Sequence, residues 1–278
     1  MFRIVCLLSF LLLFAFSAHA KCDLRSAWRG ANVVDYVPKA RACLESPGTD
    51  IWFEASVEAE IFERVNEERQ SRGLTPLRLR PELLDTARIH SFDMAQEGFF
   101  AHEGEDGRGT AKRVGALDRT LVLSEVRENI ARVGGDLDYN DIGHLLHQGL
   151  MDSPGHRENI LAPNVTHIAI GVARREKGAW VTQVFVRVEG TLDEPLSTAF
   201  SNGEAPLIGA QLKDWELGGI GFRDPAGNEI ALGDRVEDFR HDLSLFVLGR
   251  KRLDERRSAS IKLNGPLISP VPQAQGAN

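Results

Sequence analysis

The sequence predicts an α+β fold in its central part and a β-rich C-terminal region. Three observations carry this. Apolar residues recur at helical spacing over 57–72 and 81–97. The period then drops to two over 167–173, and a β-branched and aromatic run follows over 179–188, with Lys177-Gly178 as the turn of a β-hairpin. Helices come first and the hairpin last, without the regular βαβ alternation of a doubly wound fold.

The N-terminus comes first in order. Arg3 precedes an apolar run over 4–16, which ends in Ser17-Ala18-His19-Ala20. A basic start, an apolar stretch and an A-x-A site read as a secretory signal peptide, residues 1–20, removed after Ala20. The run is short of the about 20 apolar residues a membrane anchor needs. A lipoprotein is the other alternative, because Cys22 lies near the cleavage point, but Lys21 stands where a small residue would be expected. Cys6 leaves with the signal, so Cys22 and Cys43 remain and read as one disulfide in an oxidising compartment. Two free thiols are the alternative. Residues 21–56 form a lead-in, with Pro47-Gly48 as a turn.

Val57, Ile61, Phe62 and Val65 line one side of the first helix, and Gly73 sits where a C-terminal cap is expected. Pro81 suits the first turn of the second helix. Leu83, Leu84, Ala87, His90, Ser91 and Met94 share a side of it, so His90 reads as a core histidine, and Gly98 ends the helix. A loop through 99–107 follows. Residues 141–151 read as a third helix, and Ser153-Pro154 as the N-cap and first turn of a short fourth. In the hairpin Ile168, Ile170 and Val172 share a face. Beyond Glu194-Pro195 the texture changes. Strands are expected at 219–223 and 229–232 around an exposed turn at 224–228, and again at 244–248 and 260–263. Residues 195–265 thus form either a β-rich extension or a small second domain, and a chain ended near Glu194 is expected to keep the central core folded. The tail 266–278, rich in Pro, Gln, Gly and Asn, reads as disordered.

A formal net charge of −7 excludes sequence-independent nucleic-acid binding, which needs a basic footprint. No stretch after the signal is long and apolar enough to span a membrane. The expected location is secreted or periplasmic.

Several short motifs occur in a telling order. They are Val65-Asn66 with Arg69 and Pro76-Leu77, the run 87–94, Gly98-Phe99-Phe100-Ala101-His102 followed by Asp106-Gly107 and Arg113, Glu128-Asn129-Ile130-Ala131, the run 153–161, and Thr182-Gln183-Val184-Phe185. Together they resemble the CAP (cysteine-rich secretory protein, or SCP) superfamily in its bacterial branch, over residues 57–190. The resemblance implies an α-β-α sandwich with helices on both faces of a small antiparallel sheet. It also implies a cleft in which His102 is the first histidine, Glu128 the glutamate and His156 the second histidine. Ser153 stands where full members of the family carry a second acidic residue, and Leu150 where relatives often have Trp.

Two imidazoles and a carboxylate suffice for a Zn²⁺ site with an open fourth position. The same set could do general acid/base work, with Glu128 orienting a histidine, or could be polar residues tying three chain segments together. No cofactor is required, and a divalent metal such as zinc would bind weakly with Ser153 in place of a carboxylate. Ser153 reads as a cap before it reads as a nucleophile. His144 and His147, one helical turn apart, read as solvated before they read as metal ligands. Asn164-Val165-Thr166 is a formal glycosylation sequon. The expected function is a cell-envelope or extracellular binding module for a peptide, glycan or lipid. The alternatives are a metal-assisted, protease-like hydrolase built on His102, Glu128 and His156, and a structural or interaction protein.

Overall fold

The computed structural model describes residues 22, 24, 32–135, 141–201, 207–231 and 241–271. The signal peptide read over 1–20 lies outside them. Among the described residues the first element is a helix where only a lead-in is expected, α1 (Val33–Glu45). Pro38 in its middle hides it from a propensity reading, since proline removes a helical hydrogen bond. Burial of Val33, Tyr36, Val37, Ala40 and Cys43 along one side outweighs that cost. The Cys22–Cys43 disulfide, with its Cα atoms 5.5 Å apart, ties the preceding segment to this helix.

Strand β1 (Trp52–Phe53) leads into α2 (Ala55–Gln70), then β2 (Arg78–Leu79) and α3 (Pro81–Glu97). Helix α3 starts and stops where the sequence places it. Pro81 occupies the first turn, and Gly98, at φ 77°, sends its N–H back to the Met94 carbonyl at 2.9 Å. A short helix that patterning misses follows, α4 (Thr110–Leu117), in which Gly115 weakens the helical signal. Then come β3 (Leu121–Gly134), α5 (Ile142–Asp152), α6 (Pro154–Ile160), β4 (His167–Arg175) and β5 (Gly178–Leu192). Ser153 does stand at the N-cap of α6, but its hydroxyl makes no capping bond.

The three central strands run in the order β4-β5-β3, all antiparallel. Ile168, Ile170 and Val172 of β4 face α2, α5 and α6 in one core. Ala169 and Ala173, on the opposite face, pack into cores that hold α3 and α4, and Ala173 shares its core with α1. The sheet is therefore covered on both sides, as the expected sandwich requires. Between those alanines Gly171 lets α3 lie directly on the strand, because a Cβ there would sit 2.3 Å from the Arg88 backbone nitrogen.

The C-terminal strands are β6 (Ala199–Ser201), β7 (Ala210–Leu212), β8 (Glu216–Arg223), β9 (Glu229–Ala231), β10 (Leu243–Arg252) and β11 (Ser258–Val271). The 224–228 turn is exposed as expected, with the Asn228 N–H donating to Asp224 Oδ1 at 2.8 Å. Of the two alternatives for 195–265, these strands are an extension of the central sheet, which continues β3-β11-β10-β8-β9. The junction is also a core. Val122 and Leu192 pack with Phe222, Leu245 and Ile268, while Arg119, buried, donates to the carbonyls of Leu196 (2.9 Å), Ser197 (2.9 Å) and Leu267 (2.6 Å). The expectation of disorder from 266 onward is corrected at its start. Residues 266–271 belong to β11, whose last three residues pair in parallel with β6, because Leu267 and Ile268 have cores to enter despite the polar, proline-rich surroundings. Residues 272–278 lie outside the described chain. Among the described residues no helix is long and apolar enough to cross a membrane.

Candidate functional site

Glu128 is the centre of the site. It sits in the middle of β3, buried, with its side chain on the α3/α4 side of the sheet. Its Oε1 lies 2.9 Å from His102 Nδ1, and its Oε2 accepts from the Arg113 guanidinium at 2.5 Å. His90 Nε2 approaches Oε1 at 3.9 Å. Three segments thus converge on one carboxylate: the loop after α3, helix α4 and helix α3 itself.

The chain positions each partner locally. Gly98 ends α3 and turns the chain into the loop that carries His102. His90, on the buried side of α3, holds this loop through Nε2 and the Ala101 carbonyl at 2.9 Å, so it is the satisfied core histidine that its helix face predicts. Arg113 also donates to the His102 carbonyl at 3.1 Å and to the Arg108 carbonyl at 2.5 Å. It therefore fixes the backbone of the histidine loop and the carboxylate together.

His156, on α6, is brought beside this group by the neighbouring residue rather than by Glu128. The Asn129 amide donates to the His156 carbonyl and to Gln183 Oε1, both at 3.0 Å, and accepts from Asn159 at 2.9 Å. Asn159 also donates to the Glu128 carbonyl at 3.2 Å. The His102–Glu128 contact is direct, whereas His156 senses His102 electrostatically. Among the described residues no group of three or more His, Cys, Asp and Glu side chains is arranged to hold a metal. Both oxygens of Glu128 already have partners.

The charges follow from these contacts. Burial alone would raise the Glu128 pKa, but the His102 hydrogen bond and the Arg113 charge outweigh it and hold the carboxyl below its ordinary range. The bond to Glu128 raises the His102 pKa. Burial, and then the His102 charge, lower that of His156. Burial, and then Arg113, push His90 down to about 3, so it stays neutral. The His102 side chain is 57% exposed while that of Glu128 is 3% exposed, so the pair runs from the interior to the solvent. Glu128 also lines an open cleft of about 440 Å³, with Thr110, Lys112, Val126 and Arg127.

The remaining candidates lie elsewhere. His144 is solvated as expected, but His147 is not: it is buried, and burial lowers its pKa. Its side of α5 packs toward α2. Leu150 is a core residue of the same layer. Asn164 donates to Glu125 Oε2 at 2.9 Å. Patterning gave Arg113 and Asn129 no role. Both stand inside quoted motifs, and the available signal was a charged or amide residue next to a position that must be buried, Val114 for Arg113 and Ile130 for Asn129.

Residues 62–185 match the family described as "CAP: Cysteine-rich secretory protein family". The chain is 32% identical over 170 residues to "Uncharacterized protein YkwD" of Bacillus subtilis (strain 168), a match covering 60% of this chain and 62% of that one. It is 30% identical over 132 residues to "Uncharacterized membrane protein YlbC" of the same organism, covering 47% of this chain and 34% of that one. The chain therefore spans less than two thirds of either relative. Among solved structures, an extracellular protein containing an SCP domain from Bacillus anthracis is 27% identical, with a TM-score of 0.42, over 48% of this chain and 41% of that chain.

Proposed function

Residues 62–185 form a CAP domain, and from that premise we propose that the protein is an exported binding module, holding a peptide, glycan or lipid in the cell envelope or outside the cell. The observation that carries the proposal is the state of Glu128. Its two oxygens are committed to His102 and Arg113, so it serves to fix a neighbour rather than to take a proton. With Nδ1 committed to the carboxylate, His102 keeps Nε2 for a ligand, as a donor when protonated and an acceptor when neutral. The apolar start of the sequence and the Cys22–Cys43 pairing support export to an oxidising compartment.

One observation also favours the hydrolase reading: a histidine held by a buried carboxylate is how a general base is oriented. A zinc ion there would draw on His102 and His156, and Glu128 would have to release His102 or Arg113 to join them. The test is native mass spectrometry of the mature protein with peptide mixtures, soluble glycan fragments and phospholipid micelles. One class should be retained, and His102→Ala should weaken it at least tenfold. Retention of none, with Zn²⁺-dependent cleavage of a quenched peptide substrate that His102→Ala abolishes, would replace the binding reading with the hydrolytic one.

A further inference from the structure

Strand β3 has one open edge beside the cleft. On one side β5 pairs with it along its whole length, from Leu121 to Gly134. On the other side β11 meets it at a single position, Asn264 opposite Leu123, and otherwise pairs with β10 and, at its end, with β6. Among the described residues no strand covers 124–128 on that side.

The backbone there is aimed outward. Val126 stands opposite Val186, whose carbonyl is taken from the other side by the Thr166 N–H at 2.9 Å. In an antiparallel ladder a residue directs its N–H and C=O to the same side, and facing pairs alternate between bonded and non-bonded. Val126 and Val186 are therefore a non-hydrogen-bonded pair, and Val126 presents both its polar backbone groups to the open edge. Glu128, two residues on, does the same, and its carbonyl accepts from Asn159. For Val126 no described residue makes the equivalent bond.

Two cavities meet at this point, and Ala111 and Val126 line both. The smaller, about 240 Å³, is walled by Val114, Leu121, Leu123 and Pro266, so the C-terminal extension supplies one side of it. The larger, about 440 Å³, is the cleft at Glu128, and its rim carries Lys112, an exposed ammonium whose nearest described acceptor is the Gly107 carbonyl at 3.4 Å.

We propose that β3 accepts an extended peptide as an added strand along 124–128, with an apolar side chain in the smaller cavity and an acidic side chain at Lys112. A peptide is the occupant because it offers N–H and C=O groups at strand spacing to the outward groups of Val126. The acidic residue follows from charge: the Lys112 ammonium has no carboxylate partner among the described residues, the Glu128 carboxylate is neutralised by Arg113, and of the other charges lining the cleft Arg127 reinforces Lys112 while Glu103 alone opposes it. This inference rests on the binding reading and narrows it to one ligand class.

The test begins with phage-displayed seven-residue peptides panned on the full-length oxidised protein. Sequences pairing an apolar residue with Asp or Glu should emerge. In a synthetic copy of one of them, N-methylation should lower affinity at least tenfold at alternate positions and leave the positions between unchanged. Hydrogen exchange at the Val126 amide should slow at least tenfold on binding, and Lys112→Glu, checked for fold by circular dichroism, should weaken binding at least tenfold. Uniform tolerance of N-methylation, or unchanged Val126 exchange, overturns strand addition and leaves the binding reading standing. Recovery of no peptide, with glycan or phospholipid retained in a His102-dependent way, has the same consequence. Retention of no class of ligand overturns both.

Discussion

The pKa values of His102 and His156 shift in opposite directions because their neighbours differ. The carboxylate bonded to His102 favours its charged form, whereas burial and the nearby His102 charge disfavour that of His156. A nitrogen-detected NMR titration should therefore show His102 with a midpoint above the ordinary value of about 6.5 and His156 below it. Glu128→Gln should lower the His102 midpoint toward that value, and an unmoved midpoint would exclude the hydrogen bond as its cause. The signs for stability are opposed as well. The His102 contribution is complete below its unfolded pKa and is lost as pH rises through its folded pKa. His90, with a folded value of about 3, contributes stability that is lost as pH falls from about 6.5 toward 3, because the unfolded chain binds the proton first. Acid destabilisation in that window should be reduced in a His90→Gln variant that keeps its fold.

At the scale of elements, contact between α3 and the sheet sets the position of the histidine loop, and glycine permits it. A Cβ at Gly171 would lie 2.3 Å from the Arg88 nitrogen and 2.4 Å from the Ala87 carbonyl carbon. Both are backbone atoms, so no rotamer change relieves the clash and the helix must move. Gly171→Ala should cost more than about 3 kcal/mol in urea unfolding, as an overpacked core does. Gly98→Ala is the control. Its φ of 77° carries the strain of a left-handed alanine, but nothing lies within 4 Å of the added methyl, so about 1 kcal/mol is expected. Equal costs at the two glycines would mean that α3 does not rest on β4 as described.

The whole molecule unfolds as one unit if the extension shares its core, and the junction indicates that it does. Removing the chain after Glu194 would expose Val122 and Leu192 and take away the Leu196, Ser197 and Leu267 carbonyls that hold Arg119. The expectation that the central domain stands alone meets this shared core, and unfolding of the shortened chain tests it. The full chain should give one urea transition by both far-UV dichroism and tryptophan fluorescence, and the chain ended at Glu194 should unfold at lower urea and bind a hydrophobic dye. An unchanged midpoint in the shortened chain would show that the two parts are independent.

Local chemistry made much of this protein legible in its sequence. Pro81 and Gly98 delimit α3, period-two alternation gives the β4–β5 hairpin, and the Asp224–Asn228 cluster makes the turn between β8 and β9. The order of the histidine and Glu-Asn motifs located His102 and Glu128, because each lies in a short run whose spacing is set by its own helix, loop or strand. What the sequence could not decide depends on atoms brought together from far along the chain. Helix α1 survives Pro38 only because its apolar side has a core to enter. Residues 266–271 form a strand only because β6 and two cores receive them. The partners of the three residues read as a cleft come from elsewhere in the chain: Arg113 occupies the second oxygen of Glu128 across 15 residues of sequence, and Asn129 bonds the His156 backbone carbonyl. Spacing reports which residues can share a face. Which partner satisfies a buried charge is settled only when the tertiary structure excludes water and leaves that charge one neighbour to bond.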